Sequence, residues 1–208
     1  MAITTYAELK TAVATWLDRS DLDAYMSDFI TLAEAYICYN SGRGEPLRVR
    51  DMHETATLSP ASNEYTLPGD LLGILSATAL TSPRRELDKI SISGANRLYP
   101  TRYASTPANY QVVGNTLTAF PYTSADIELV YFKRLPALAD DNTSNWLLVK
   151  NPAIYLRATQ MMAAEFIKDA GQAGAMKQLV DQYVSQLNDA EAFDDYRNSG
   201  TTLEGMVV

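Results

Sequence analysis

A chain of 208 residues, 47% of them hydrophobic, is long enough to bury a sizeable core without disulfides or a structural metal. Its single cysteine, Cys38, has no internal partner and fits folding in a reducing cytoplasm; no apolar run approaches the ~20 residues of a membrane span, and the start MAITTYAELK lacks the basic and apolar regions of a signal peptide, so the reading is a soluble, non-exported protein with no membrane partner. With 17 basic against 25 acidic residues, a net charge of −8 and no polybasic window, the chain lacks the phosphate-neutralising surface that gripping nucleic acid requires.

The first third is helical by pattern. Thr5 followed by Glu8 forms a capping box, and Leu9, Val13, Trp16 and Leu17 share one face of the helix that follows. After a turn at Arg19-Ser20, Asp21 is the predicted cap of a second helix. Leu22, Tyr25, Met26, Phe29, Ile30, Ala33 and Ile37 recur there at three- and four-residue steps until Asn40-Ser41-Gly42. The two helices are expected to pair as an antiparallel hairpin.

From about Val49 to Phe132 the period changes. Pro60, Pro68, Pro83, Pro100, Pro107 and Pro121 exclude long helices from most of this span. Short strands are predicted at Glu54 to Leu58, Glu64 to Leu67 and Gly73 to Leu80, while Arg84 to Leu98 suits a short helix or an irregular loop. The best-patterned segment comes next. Tyr110, Val112, Leu117 and Ala119 alternate with more polar neighbours around Gly114-Asn115, a two-residue loop suited to a type II′ hairpin turn. Ile127 to Phe132, rich in β-branched and aromatic residues, forms a further strand before Pro136.

Helix pattern returns at Asn151-Pro152, where Asn suits the cap and Pro the first helical position. This helix runs through Met161 and Met162 to Asp169, with Gly171 as its stop. The last helix, from about Gln172 to Arg197, carries a continuous stripe of Met176, Leu179, Val180, Tyr183, Val184, Leu187 and Ala190. Its final turns around Phe193 and Tyr196 run past the bundle, and NSGTTLEGMVV follows as an aperiodic extended tail. The fold class is therefore α+β: a bundle of four helices with an inserted antiparallel β-rich subdomain and a C-terminal arm. The boundaries are 1–48 and 139–197 for the bundle, 49–138 for the insertion and 198–208 for the arm.

The inventory for chemistry is thin. One histidine and one cysteine leave His53 and Cys38 as the sole dyad, on different predicted elements, and each has a plain reading as a surface imidazole and a small core residue. There is no His, Cys or carboxylate cluster of zinc spacing and no phosphate loop, since Gly42-Arg43-Gly44 lacks the following Lys-Ser/Thr. Asp140-Asp141 and Asp194-Asp195 are the only acidic pairs of interest, and Asp140-Asp141-Asn142 has the composition of a solvated turn. No catalytic residue, cofactor or metal is assigned. The apolar tail residues Leu203, Met206, Val207 and Val208 point elsewhere. Burying four side chains does not offset the ordering of some ten backbone residues, so the arm docks usefully by adding to a partner's sheet or by acting in many copies.

Along nearly its full length the chain resembles the head-to-tail adaptor proteins of short-tailed bacteriophages. The resemblance rests on ITTYAELKTAVATWLDRSDL, DFITLAEAYI, EYTLPGDLLGILSATA, TPANYQVVGNTLTAFPYTSADIELVYFKRLPAL, NWLLVKNPAIYLRATQMMAA and LVDQYVSQLNDAEAFDDYRNSG, in that order. The segment ICYNSGRG departs from it, standing where a charged helix end is expected. The resemblance implies a structural virion protein of the neck, assembled in the host cytoplasm, and not an enzyme. It implies a homo-oligomeric ring, typically of about twelve copies, beneath the portal protein and above a tail nozzle or tail fibre protein, with DNA passing through the lumen without specific binding. On that reading Phe193, Tyr196, Arg197, Leu203, Met206, Val207 and Val208 are the expected portal contacts, and Tyr110, Asn115 and Tyr122 of the β subdomain the expected contacts to the lower partner. A stopper or tail-completion connector, and a soluble enzyme or metal- or ligand-binding domain built on Asp140-Asp141, are the alternatives.

Overall fold

The computed structural model describes residues 3–40, 44–101 and 103–198, the last six by backbone alone. In chain order these form α1 (Tyr6–Leu17), α2 (Met26–Tyr39), β1 (His53–Leu58), β2 (Glu64–Thr66), β3 (Leu71–Ala79), β4 (Arg85–Glu86) and β5 (Asp88–Lys89), then α3 (Ile92–Leu98), β6 (Asn109–Val113), β7 (Thr116–Phe120), β8 (Ile127–Lys133), α4 (Trp146–Lys150), α5 (Pro152–Phe166) and α6 (Ala170–Asn198). The class is α+β as expected, with six α-helices among the described residues in place of four. The chain divides into two compact units: one is made from both ends, through Asp51 and from Leu135 onward, and the other is Met52–Arg134.

In the helical unit α5 is the hub. Ile154, Tyr155, Leu156, Ala158, Thr159, Met161, Ala163 and Ala164 are buried on nearly every side of it, as a helix surrounded by others must be. Helices α1, α2, α4 and α6 all pack on α5. The expected hairpin of α1 and α2 is corrected here, because both helices pack chiefly on α5. The link between them is no tight turn: it includes a 3-10 turn at Asp23–Tyr25.

Local signals explain the helix ends. The capping box of α1 is complete: Thr5 Oγ1 accepts from the Glu8 N–H at 3.3 Å, and Glu8 Oε2 accepts from the Thr5 N–H at 3.0 Å. Asp21 does not cap α2. It pairs with the Arg19 guanidinium, and α2 starts from the 3-10 turn with no side-chain cap. Pro152 takes the first turn of α5 as expected, but Asn151 makes no side-chain cap bond, being also the end of α4. Nor does Gly171 stop α5. Lys168 adopts the left-handed conformation, with φ of 63°, and Asp169 Oδ1 accepts from the Gln172 N–H at 3.0 Å to start α6.

The second unit packs two four-stranded sheets, ordered β1-β8-β3-β4 and β2-β7-β6-β5. All pairings are antiparallel except β5 with β6, which is parallel. In the β6-β7 hairpin Tyr110 lies opposite Ala119 and Val112 opposite Leu117, which is why these four alternate in the sequence. Gly114 has φ of 59° while Asn115 stays on the negative side, the II′ arrangement. Leu58, Ala77, Ile127, Leu129 and Tyr131 from one sheet meet Tyr65, Tyr110, Leu117 and Ala119 from the other in a single core. The segment 84–98 holds two-residue strands and a short helix, α3, capped by Ser91 Oγ on the Gly94 N–H at 3.0 Å.

Candidate interaction surfaces

Helix α6 has a polar edge that the apolar stripe alone does not reveal. Asp181 Oδ1 accepts from the Tyr36 hydroxyl at 2.6 Å, and Lys177 stands over the Tyr36 ring at 5.5 Å. Asn188 brackets the segment after α2, its Oδ1 accepting from the Arg48 N–H at 2.9 Å and its Nδ2 donating to the Pro46 carbonyl at 3.0 Å. Glu191 accepts from Arg50 Nε at 2.7 Å. Residues 177, 181, 188 and 191 follow helical spacing, so this edge faces protein. Burial, reinforced by the Asp181 carboxylate, raises the Tyr36 phenol and keeps it a donor. Of the stripe itself, Val180 and Val184 are buried, whereas Leu179, Tyr183 and Leu187 are only half-buried.

A second polar knot holds the segment that returns from the β unit. Glu34 is a buried carboxylate on α2; its Oε1 accepts from the Leu138 N–H at 2.8 Å and from the Tyr155 hydroxyl at 3.1 Å. Asn145 Nδ2 donates to that hydroxyl at 2.6 Å and to the Pro136 carbonyl at 2.8 Å, while its Oδ1 caps α4 at Leu148 N–H. Burial and then the Glu34 charge raise the Tyr155 phenol, which stays protonated at any physiological pH. The knot is structural: Glu34 Oε1, the Tyr155 hydroxyl and the Asn145 amide bond one another and the backbone at Pro136, Leu138 and Leu148.

The predicted contacts fall out unevenly. The side chains of Phe193, Tyr196 and Arg197, and all of Leu203, Met206, Val207 and Val208, lie outside the described residues. Tyr110 is 5% exposed and belongs to the sandwich core; Asn115 is exposed at the hairpin tip. Tyr122 is half-buried, its ring stacked on Phe120 at 5.9 Å. Asn115 and Tyr122 are the members of this set that reach solvent. The signal that separates them from Tyr110 is the strand alternation, which turns Tyr110 inward together with Leu117.

The reactive candidates are occupied. Cys38 is buried in α2, and His53 lies against the Phe132 ring at 5.0 Å, each within its own unit. Asp140 pairs with Lys10 at 3.4 Å in an exposed turn closed by the Ala139 N–H on the Asn142 carbonyl. Among the described residues no group of three or more His, Cys, Asp or Glu is placed to hold a metal ion, and no helix is long and apolar enough to cross a membrane. Comparison with protein families matches the SU10 adaptor protein family over residues 4–203. No curated protein matches the chain.

Proposed function

The chain belongs to the SU10 adaptor protein family, and on that footing we propose that it is a structural virion protein forming a ring beneath a bacteriophage portal, extending the DNA channel and coupling capsid to tail. The match over residues 4–203 carries the reading. Three physical features support it. A net charge of −8 lets a protein line a channel without retaining DNA, since like charge repels phosphate. The 29-residue α6 is about 43 Å long, longer than the 15-residue α5 beneath it, and its end delivers the apolar arm 198–208 to a partner. The sandwich offers a second surface for a different partner, through Asn115 and Tyr122, with Tyr110 supporting it from within. The ring of about twelve copies is part of this proposal, as are virion location and the absence of enzymatic activity.

Deleting residues 198–208 is expected to leave a folded chain that no longer binds portal rings, measured by co-sedimentation with circular dichroism as the folding control. Unchanged portal affinity in the truncated chain rules out the arm as the portal contact. Imaging of assembled particles separates this reading from a stopper or tail-completion protein, because the adaptor density sits directly on the portal.

A further inference from the structure

The two sheets of the β unit end on four edge strands, and three of these are too short to template another chain. Strands β2, β4 and β5 hold three, two and two residues, a brevity by which sheet edges are commonly kept from pairing. Strand β1 is the exception. It is six residues long, and among the described residues it pairs on one side only, with β8, in a ladder that runs from His53 opposite Phe132 to Leu58 opposite Ile127 without a register shift. It carries no proline and no lysine, and His53, Glu54, Thr55 and Thr57 are exposed. Its other side is a straight row of backbone N–H and C=O groups about 20 Å long, open to a further strand.

Alternation sorts the side chains along this edge. Glu54, Ala56 and Leu58 lie opposite the buried Tyr131, Leu129 and Ile127 and form the core-facing row, while His53, Thr55 and Thr57 form the outer row. Glu54 is the one acidic group of the strand. A charge in the core-facing row discourages pairing, but Lys133 already meets this one at 3.3 Å. What remains is a threonine-rich edge with its backbone free.

We propose that, away from the portal, this edge takes the β1 of a second copy, antiparallel and about a two-fold axis at Thr55. Residues that face each other across an antiparallel pair lie on the same side of the sheet, so a two-fold pair joins outer row to outer row and core-facing row to core-facing row. Centred on Thr55, it sets the two Thr55 side chains together, His53 against Thr57 of the second copy and Glu54 against its Ala56. The axis carries a threonine pair, and no like charges stand opposite each other. One continuous sheet results, with four strands from each copy. Ordering costs favour this occupant over the arm 198–208. A second β1 is already a strand, whereas the arm, with Gly200 and Gly205, has its backbone still to order before it can pair. So short a ladder falls well below the ~800 Å² per partner of a stable pair, and the dimer is weak and reversible. An isologous pair is not a contact of a single cyclic ring; the inference goes beyond the ring reading and does not depend on it.

The test is a charge swap on the axis, read by sedimentation velocity over a concentration series with circular dichroism as the folding control. The full chain should pass from monomer to dimer and no further. Thr55→Lys and Thr55→Glu should each dimerise about tenfold more weakly, because the axis sets like charges side by side, and an equimolar mixture of the two should dimerise again. On oxidation Thr55→Cys should link to its own copy on a non-reducing gel, with the buried Cys38 as a silent background, while Glu64→Cys on the edge of the other sheet should not. A chain ending at residue 197 should dimerise like the full chain. The inference is overturned if the full chain stays monomeric throughout the series, if the mixture associates no better than its two components, or if removing 198–208 abolishes the dimer and so makes the arm the added strand. Portal binding on the same samples is a separate readout. Thr55→Lys should bind portal rings as the unaltered chain does, and loss of that binding places β1 inside the ring and overturns the inference. Dimers through β1 in a chain that never binds portal remove the adaptor role alone.

Discussion

At the residue scale, the sandwich stores sensitivity to alkali in its buried phenols, of which Tyr65 and Tyr131 are pushed furthest. Burial, with the Asp126 carboxylate adding to it, pushes Tyr65 up to about 12; its hydroxyl donates to the Ala125 carbonyl at 2.7 Å. Burial also leads at Tyr131, which the Asp70 charge and a 3.2 Å bond to that carboxylate help push up to about 12. Both folded values lie above the ordinary 10.0. The stability tied to the neutral phenols is therefore complete below pH 10 and is lost as pH rises from there through about 12. In an absorbance titration at 295 nm, exposed tyrosines should ionise first and these two late, in step with loss of the strand signal in circular dichroism. Subtracting the titration of a Tyr65→Phe, Tyr131→Phe double variant assigns the late step. If the two ionise near pH 10 in a protein that remains folded, the sandwich core is not as closed as its packing indicates.

At the element scale, the β6-β7 hairpin turns on one torsion. A Cβ built on Gly114 meets nothing within 4 Å, so space is not the constraint; φ of 59° is. Gly114→Ala should cost roughly 1–2 kcal/mol and Gly114→Asn less, since Asn tolerates that region. Gly69→Ala, open and without positive φ, should be neutral or stabilise by up to about 1 kcal/mol. Urea midpoints followed through tyrosine fluorescence rank the three, and equal midpoints for the two alanine variants refute the torsional account. This hairpin was legible in the sequence because its information is local: period-two alternation and turn chemistry lie within a dozen residues. The α1 capping box was legible for the same reason. What the sequence hid is set by distant partners. Nothing local says that α5 is enclosed on all sides, that two-residue strands at 85–86 and 88–89 find sheet edges, or that Asp181 and Asn188 face α2 and the segment after it. A polar residue on a helix reads as solvated until its partner, some 140 positions away, is in place.

At the scale of the whole molecule, the β unit enters and leaves the helical unit through neighbouring strands. His53 at the start of β1 lies opposite Phe132 near the end of β8, a Cα separation of about 4.5–5.5 Å in an antiparallel ladder. Outside that rung the chain is tied into the helical unit on both sides: Asp51 accepts from Lys150 Nζ at 2.6 Å, and the Leu138 N–H donates to Glu34 Oε1 at 2.8 Å. Replacing residues 52–134 by about four Gly/Ser residues, each spanning up to ~3.5 Å, should therefore close the gap without disturbing α2 or α5. Both tryptophans, Trp16 and Trp146, belong to the helical unit, so their fluorescence reports on it alone. The excised chain should keep a cooperative tryptophan transition and a helical spectrum, and the full chain should show that transition apart from the loss of strand signal in circular dichroism. Loss of near-ultraviolet dichroism with dye binding in the excised chain would mean that the helices need the sandwich to pack. If they do not, the excised protein also sorts the partners: it should still reach the portal, while the contact assigned to Asn115 and Tyr122 disappears with the unit that carries it.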